Sequence, residues 1–337
     1  MRKRDLLSAA ALASSRIGNL PLALDPRRFR FGWSRSVVYE SPPYNRDMTP
    51  DAPRPEYQRR RPKRGEEGSG ATRIMTDVGL FGPDSMVWRI HASSASLIGG
   101  LRGLLIQALN PVAMAAVSQH SNYRDDPWGR LMRTSEYLTV TTFGDTRAAQ
   151  EAATRLRAIH RRISGVDPVT GRAYRADDPD LLLWVHNIEV HSFLAGYRAY
   201  GGRVSDADAD RYVEEMVRHA ELVGLQAEDA PHNFAELDAY VTSRTELALT
   251  PAAREGMSYI LAPPLPLALK PLWSIPAFAA IAILPEDIRD LYGIPWFKPA
   301  TPFVRTSTSA LLRSLRLLVP PPPPVREALA RAERLAA

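Results

Sequence analysis

The chain has no cysteine among its 337 residues. This absence excludes disulfides, thiolate metal sites, cysteine nucleophiles and covalent haem attachment through a C-x-x-C-H motif. Several enzyme motifs are also missing: there is no G-x-S-x-G, no phosphate-binding glycine loop, no H-E-x-x-H zinc motif and no Glu-x-x-His pair of the di-iron proteins. The available chemistry is therefore that of histidine, carboxylate and hydroxyl groups, together with any non-covalent cofactor.

Long apolar runs are scarce. The segment "LAPPLPLALKPLWSIPAFAAIAILPEDIRDLYG" is apolar, but prolines and Lys270 interrupt it, and its longest uninterrupted piece is Ala277–Leu284. That piece is too short to span a bilayer. The segment is therefore either protein core or a contact with a membrane surface, and core is the more usual fate of apolar segments of this length.

Positive charge is concentrated at the N-terminus. The net charge is +6 and the sequence pI is about 9.6, but residues 1–74 hold the runs "RRFR" and "RRRPKRGEE", whereas acids and bases alternate afterwards. We predict a disordered basic leader over residues 1–74, and we consider Met75 as an alternative natural start. A nucleic-acid-binding role would rest on this leader alone. It contains no known element that reads bases, so we predict no nucleic-acid partner.

Strand patterns are nearly absent, and helical patterns follow one another from Gly79 onward. Four predicted helix starts carry a side chain that can accept hydrogen bonds from the first free backbone N–H groups. These residues are Asn110, Asp126, Asp178 and Ser205. The sequence predicts an all-α fold with a single multi-helix globular domain over residues 75–318. Residues 319–337 should form a polyproline spacer and a short charged helix that the domain does not need.

The predicted helix at Ser94–Ala108 contains Gly99, Gly100 and Gly103. Glycines inside a helix permit either close packing against a second helix or the approach of a ligand.

A polar face runs along "DPWGRLMRTSEYL". Arg130, Arg133, Thr134 and Tyr137 recur at the spacing of a single helix face. Such a face is either an ordinary solvated surface or the polar wall of a buried cavity, and periodicity does not decide between them.

The chain has seven histidines. His160 shares a predicted apolar face with Leu156, Ile159 and Ile163, and His186 lies on an even more apolar helix. Each is either a core histidine that bonds a backbone carbonyl or a ligand. His191 and His219 look amphipathic, His91 and His120 lie near helix ends, and His232 lies in a loop. Non-covalent haem suits this inventory, because its iron needs one neutral imidazole held in an apolar pocket.

The segment "GPDSMVWRIH…LIGGLRGLLIQALNPVAMAAVSQHSNYRDDPWGRLMRTSEYLTVTTFGD…RAIHRRISGVDPVTGRAYRADDPDLLLWVHNIEVHSFL" resembles the catalytic domain shared by bacterial rubber oxygenase (latex-clearing protein) and the MpaB-type membrane-bound oxygenases. The resemblance covers roughly residues 79–295. It implies an α-helical fold that holds haem b with a proximal histidine, which His160 matches best.

The resemblance also extends to the distal motif Arg-x-x-Lys-Thr of rubber oxygenase. Arg130 and Thr134 match its Arg and Thr, and Arg133 occupies the position of its Lys. Arginine does not realistically deprotonate to bind iron, so Arg133 would leave the sixth position open, hold a propionate or polarise bound oxygen. Two further departures are Asn110, where many relatives have histidine, and His191, where an acidic residue is common.

The resulting hypothesis is a haem b-dependent oxygenase acting with O₂ on an apolar, isoprenoid-like or lipid-like substrate. His160 would bind the iron, Arg130, Arg133 and Thr134 would form the catalytic oxygen side, and His186 and Trp184 would contact the cofactor. The alternative is a non-catalytic helical module that binds haem or a lipid. We expect a cytoplasmic protein that can also make peripheral membrane contact.

Overall fold

The structure, a computed structural model, describes residues 77–318 and 320–336. The predicted leader over residues 1–74 and the alternative start at Met75 lie outside the described residues. Within the described residues the architecture is all-α, as the sequence predicts, with thirteen α-helices and one small hairpin.

The helices follow one another through short connections. In chain order they are α1 (Met86–His91), α2 (Ala95–Gln107), α3 (Pro111–His120), α4 (Pro127–Phe143), α5 (Thr146–His160), α6 (Pro179–Gly196), α7 (Asp206–Val223), α8 (Phe234–Thr242), α9 (Pro251–Leu261), α10 (Lys270–Ala282), α11 (Glu286–Tyr292), α12 (Thr301–Leu318) and α13 (Pro323–Ala336). The strands β1 (Ser164–Val166) and β2 (Ala173–Arg175) pair antiparallel between α5 and α6.

All four predicted helix starts are confirmed. The side chain of Asn110 accepts from the N–H groups of Val112 and Ala113, and Asp126, Asp178 and Ser205 make equivalent bonds at the starts of α4, α6 and α7. The chain therefore enters each of these helices at the residue that the capping chemistry indicates.

The centre of the fold is the close pair formed by α2 and α6. A Cβ atom added at Gly99 would lie 2.7 Å from the carbonyl oxygen of Ser192 and 2.8 Å from the Cα of Phe193, so only glycine fits there. Of the two roles open to these glycines, close helix packing is the one that the structure shows.

The largest hydrophobic cluster joins α1, α6, α7 and α8 to the C-terminal helix α13. Val325 and Ala328 of α13 are buried in it, and Arg331 donates to the carbonyl oxygens of Val78 and Phe143. Pro323 and Pro324 form the first turn of α13, because proline is tolerated where helical N–H groups have no partner. The short charged helix predicted for this end of the chain is present as α13, and two of the predicted spacer prolines belong to it. It is amphipathic, and its apolar face packs on the core.

We expect Ala328→Asp to destabilise the protein by about 2 kcal/mol, because it places a carboxylate among apolar side chains. The neighbouring Leu329 is 38% exposed, whereas Ala328 is 1% exposed, so Leu329→Asp is the matched control. Thermal unfolding measures both. A midpoint lower by about 5 °C is expected for Ala328→Asp alone, and equal midpoints would contradict the packed helix.

The apolar segment that begins at Leu261 divides into two parts. Ala277, Ile281 and Leu284 are buried, as core residues should be, but every residue of Pro266–Leu272 is exposed. The expectation of core is thus confirmed for Ala277–Leu284 except for Phe278, which is 58% exposed, and it is wrong for Pro266–Leu272. Between residues 77 and 336, no single helix is long and apolar enough to cross a membrane; taken together, α2 and α3, bent by 103° at their junction, have the length and composition for it.

Candidate functional site

Helices α4 and α5 form a hairpin that carries most of the predicted site residues. Asp126 starts α4 by accepting a 2.8 Å hydrogen bond from the N–H of Gly129, and Gly144 and Asp145 alone connect α4 to α5. The two-residue connection, together with the charge of Arg157 on α5 that acts on Tyr137 of α4, indicates that the two helices run side by side in opposite directions. The first turns of α4, with Arg130, therefore lie at the same end of the hairpin as His160, the last residue of α5.

Arg130 and Thr134 are partnered along α4. The Arg130 guanidinium donates to the Thr134 hydroxyl, which in turn donates to the Arg130 carbonyl oxygen at 3.1 Å. Burial, together with the positive charge of Arg133, lowers the pKa of Arg130. This pair is partly enclosed by protein, as the wall of a cavity would be.

The Arg133 side chain does not join the Arg130–Thr134 pair and contacts residues at the start of α4 instead. Its guanidinium is 2.8 Å from the Asn122 Oδ1 atom and 3.2 Å from the Asp126 Oδ2 atom, and its side chain is 43% exposed. The polar face of α4 thus combines both interpretations that the sequence left open, because Arg133 is solvated while Arg130, Thr134 and Tyr137 are partly buried.

His160 is partly buried at the end of α5. Its Nδ1 atom is enclosed by protein and has no hydrogen-bond partner. Burial lowers its pKa, and the charge of Asp177 opposes that shift in part. The imidazole is therefore neutral at pH 7, as metal ligation requires. Its neighbour Ile159 is 50% exposed, so the prediction that Ile159 shares the inner face was wrong.

A second group of polar side chains is buried between α4, α6 and α7, and we call it the histidine cluster. It consists of His186 and Glu189 from α6, His219 from α7 and Tyr137 from α4. The rings of His186 and His219 stack with centroids 5.8 Å apart, and Tyr137 meets His219 edge-on at 5.7 Å. The Glu189 Oε1 atom is 3.9 Å from the His219 Nδ1 atom, which is too long for a hydrogen bond.

These side chains lack the partners that buried polar groups normally have. Neither ring nitrogen of His219 has a hydrogen-bond partner, and the same holds for the His186 Nδ1, Glu189 Oε1 and Tyr137 hydroxyl atoms. A buried polar atom without a partner costs about 1–3 kcal/mol, so several in one place indicate a site that binds something.

Burial also keeps the histidine cluster uncharged. It lowers the pKa of His186 to about 3 and that of His219 to about 4, with the charge of His219 acting on His186 as well. Burial raises the pKa of Glu189 to about 8 and that of Tyr137 far above its usual value. At neutral pH the cluster thus offers neutral imidazoles beside a protonated carboxyl group.

The raised pKa of Glu189 predicts a specific pH dependence. Between pH 4.5 and 8 the folded protein keeps this proton while the unfolded chain has released it, so the free energy of unfolding of wild type falls as the pH rises through that window. Glu189→Gln has no proton to lose. The difference in unfolding free energy between Glu189→Gln and wild type should therefore be larger at pH 9 than at pH 5, by on the order of 3 kcal/mol. Chemical unfolding at both pH values measures it. The exposed Glu136→Gln is the control, and a gain that does not change with pH would refute the buried carboxyl.

The pattern of α7 already contained a signal for His219. Tyr212, Met216 and His219 recur at i, i+4 and i+7, which is one helix face, and all three are buried. His219 was not among the residues predicted for the site, and neither was Glu189.

Trp184 lies away from the histidine cluster. It is 1% exposed, packs with Leu105, Ile106 and Leu109, and directs its indole N–H to the Gln107 carbonyl oxygen at 3.4 Å. Residues two apart on a helix point in different directions, so Trp184 and His186 contact different neighbours.

His191 contacts a buried arginine. The Arg102 Nη1 atom lies 3.2 Å from the His191 Nδ1 atom, and the His191 Nε2 atom lies 3.3 Å from the Asp238 Oδ1 atom. Arg102 also donates to Ser192 and Ile283. Burial lowers the pKa of Arg102 to about 10, opposed by Asp238 and Asp287. These bonds fix α6 to α2.

In the part of the chain that the structure describes, no three histidine, aspartate or glutamate side chains are placed together so that they could hold a metal ion.

The fold and the site define a class: an all-α protein with neutral histidines and unpartnered polar groups buried between its helices, which is typical of helical proteins that enclose a cofactor or small molecule. Residues 88–329 match the family "ER-bound oxygenase mpaB/B'/Rubber oxygenase, catalytic domain". The chain belongs to this family, which confirms the resemblance. No curated protein and no solved structure matches it significantly. As an oxygenase catalytic domain, it acts on a substrate together with O₂.

Proposed function

We propose that this chain is a haem b-dependent oxygenase that acts on an apolar, isoprenoid-like or lipid-like substrate. The observation that carries the proposal is His160, a neutral imidazole with an enclosed and unpartnered nitrogen, at the same hairpin end as the Arg130–Thr134 pair. The family contributes the oxygenase activity in general.

The residues present fit a haem. An axial histidine must be neutral, and burial holds the pKa of His160 below its ordinary value. A haem also needs enclosing helices, and α4, α6 and α7 surround the unpartnered atoms of the histidine cluster. His186 and His219 offer unpartnered enclosed nitrogens there, and His160 offers one at the end of α5.

The side chains have separate roles in this proposal. His160 would hold the iron, and haem supplies the activation of O₂ when it is bound. Arg130, fixed by Thr134, places a guanidinium that can stabilise developing negative charge in an enclosed setting. Arg133 is exposed and already contacts Asp126 and Asn122, so to hold a carboxylate of the cofactor its guanidinium would have to leave these partners.

His186 and Trp184 remain predictions as cofactor contacts. His186 has the stronger support, because its enclosed Nδ1 atom has no partner, whereas the Trp184 indole already donates to Gln107. The protonated carboxyl of Glu189 can donate a proton within the histidine cluster, since burial raises its pKa to about 8.

An apolar substrate agrees with the exposed apolar side chains on the first turns of α4. Trp128 and Met132 share one face of that helix and are 45% and 37% exposed. A cytoplasmic location with peripheral membrane contact remains our prediction.

The decisive experiment is an absorption spectrum of protein expressed with a haem precursor, supported by a pyridine haemochrome assay. We expect a Soret band and about one haem b per chain. Oxygen consumption with isoprenoid and lipid substrates then separates an oxygenase from a non-catalytic haem-binding or lipid-binding module. A folded but colourless protein, despite a confirmed haem supply, would overturn the haem proposal.

A further inference from the structure

The connection between α9 and α10 exposes its apolar side chains, and so does the first turn of α10. Every residue of the sequence PLALKPL, Pro266–Leu272, is exposed, with Leu267 at 81% and Leu272 at 62%. Soluble surfaces carry scattered apolar residues, but adjacent ones of this size usually mark an interaction site. We call this segment the PLALKPL loop.

The loop is braced by hydrogen bonds and prolines. The N–H of Leu269 donates to the Pro266 carbonyl oxygen at 2.9 Å, and the Trp273 indole donates to the Ile260 carbonyl oxygen at 3.1 Å, which ties the two ends of the connection together. Pro266 and Pro271 lie within the loop and restrict its backbone. The leucines are therefore presented by a preorganised segment, and little ordering entropy opposes their insertion into another phase.

The loop continues onto the first turns of α4. Trp273 meets Trp128 edge-on with ring centroids 5.8 Å apart, and Met132 lies one helical turn beyond Trp128. Trp128 and Met132 are themselves partly exposed. The apolar surface thus extends from the PLALKPL loop to the helix that carries Arg130.

The one charged residue of this segment is a cation. Lys270 is the single charged residue between Met257 and Leu284, and it is exposed at the centre of the loop. Next to Trp128 on the chain, Asp125 is exposed and the Asp126 carboxylate is paired with Arg133. Exposed leucines and a tryptophan around a lysine are typical of segments that lie in the headgroup region of an anionic membrane.

A bilayer explains this surface better than a protein partner does. Protein interfaces average about one hydrogen bond per 100–200 Å², yet Lys270 supplies the one hydrogen-bonding side chain of the PLALKPL loop. The hydrocarbon of a bilayer forms no hydrogen bonds with the leucine side chains. The long side chain of Lys270 can place its ammonium group among the lipid headgroups while the leucines enter the acyl region.

We propose that the PLALKPL loop, with Trp128 and Met132 beside it, docks the protein on the surface of an anionic lipid bilayer. This orientation turns the first turns of α4 toward the membrane, from which an apolar substrate can enter. The docking surface does not depend on haem, so its test is separate from that of the proposed function.

The test is co-sedimentation of the full chain with vesicles of phosphatidylcholine containing phosphatidylglycerol. We expect wild type to sediment with them and the double variant Leu267→Asp/Leu272→Asp to bind at least about tenfold more weakly, because two leucines no longer leave water. Val166→Asp/Val169→Asp is the matched control, since those valines are 54% and 55% exposed near the β hairpin. It should bind like wild type.

Charge is tested by Lys270→Glu. It should weaken binding to phosphatidylglycerol vesicles several-fold and affect pure phosphatidylcholine vesicles less, because the ammonium group interacts with anionic headgroups. Haem content measured on all variants should not change. Failure of wild type to sediment would overturn the proposal, and so would equal binding by the leucine variant or self-association through the loop in sedimentation velocity.

Discussion

His160→Ala protein is expected to purify folded and without haem. The variant removes the imidazole that we assign to iron, and no other side chain at the end of α5 supplies a neutral nitrogen in an enclosed position. His160 has no hydrogen-bond partner through its Nδ1 atom, so its loss should break few bonds of the fold itself. The haemochrome assay should fall from about one haem per chain to below about a tenth, because a structural metal bond contributes several kcal/mol of binding.

Two companion variants make this result specific. His120 is exposed, and its Nε2 atom lies 3.1 Å from the Ser164 carbonyl oxygen, so His120→Ala is a control that should retain haem. Free imidazole added to His160→Ala should restore a Soret band, since the ligand can occupy the space left by the side chain. Full haem content in His160→Ala would contradict the assignment, and the same assay on His186→Ala and His219→Ala would then show whether the histidine cluster binds the iron.

The second large effect concerns the stability of the central helix pair. Gly99→Ala is expected to lower the free energy of unfolding by about 2–3 kcal/mol, because the new Cβ would lie within 2.8 Å of backbone atoms of Ser192 and Phe193 that cannot move independently. Gly196 faces Gly99 from α6, and a Cβ there would lie 2.8 Å from the Gly99 Cα atom. Both glycines are therefore needed for the same approach of the two helices.

Gly100→Ala is the matched control, one residue further along the same helix. An added Cβ there would lie 3.7 Å from the nearest atom, on the Phe193 ring, which is ordinary contact. Alanine is the better helix former by about 1 kcal/mol, so this variant should be slightly stabilised. Urea unfolding of both proteins measures the difference. If Gly99→Ala and Gly100→Ala changed the free energy of unfolding in the same direction, the result would contradict the close helix contact at Gly99.

The helical class and the helix starts were predictable from local pattern alone. Asn110, Asp126, Asp178 and Ser205 cap their own helices, and a cap depends on atoms within three residues of it. The family was predictable for a related reason, because a motif such as Arg130-x-x-Arg133-Thr134 is a property of contiguous sequence. The family match over residues 88–329 confirms it.

The candidate site was predictable only in part. The sequence proposed Arg130, Thr134 and His160 as site residues, and the hairpin of α4 and α5 brings them to one of its ends. It did not show that Arg133 would turn toward Asn122 and Asp126, because a long side chain on a helix can reach a partner before or after its own turn. It also missed His219, whose burial depends on the packing of α7 against α6.

The sequence by itself determined the all-α class, the capped helix starts and the family, because each depends on neighbouring residues or on a contiguous motif. Only the tertiary structure decided which polar side chains are buried without partners, that α13 belongs to the core, and that the PLALKPL loop is exposed. Burial is a property of pairs of elements far apart in the chain. Two apolar segments of similar composition, such as Pro266–Leu272 and Ala277–Leu284, therefore end in opposite environments once the helices pack.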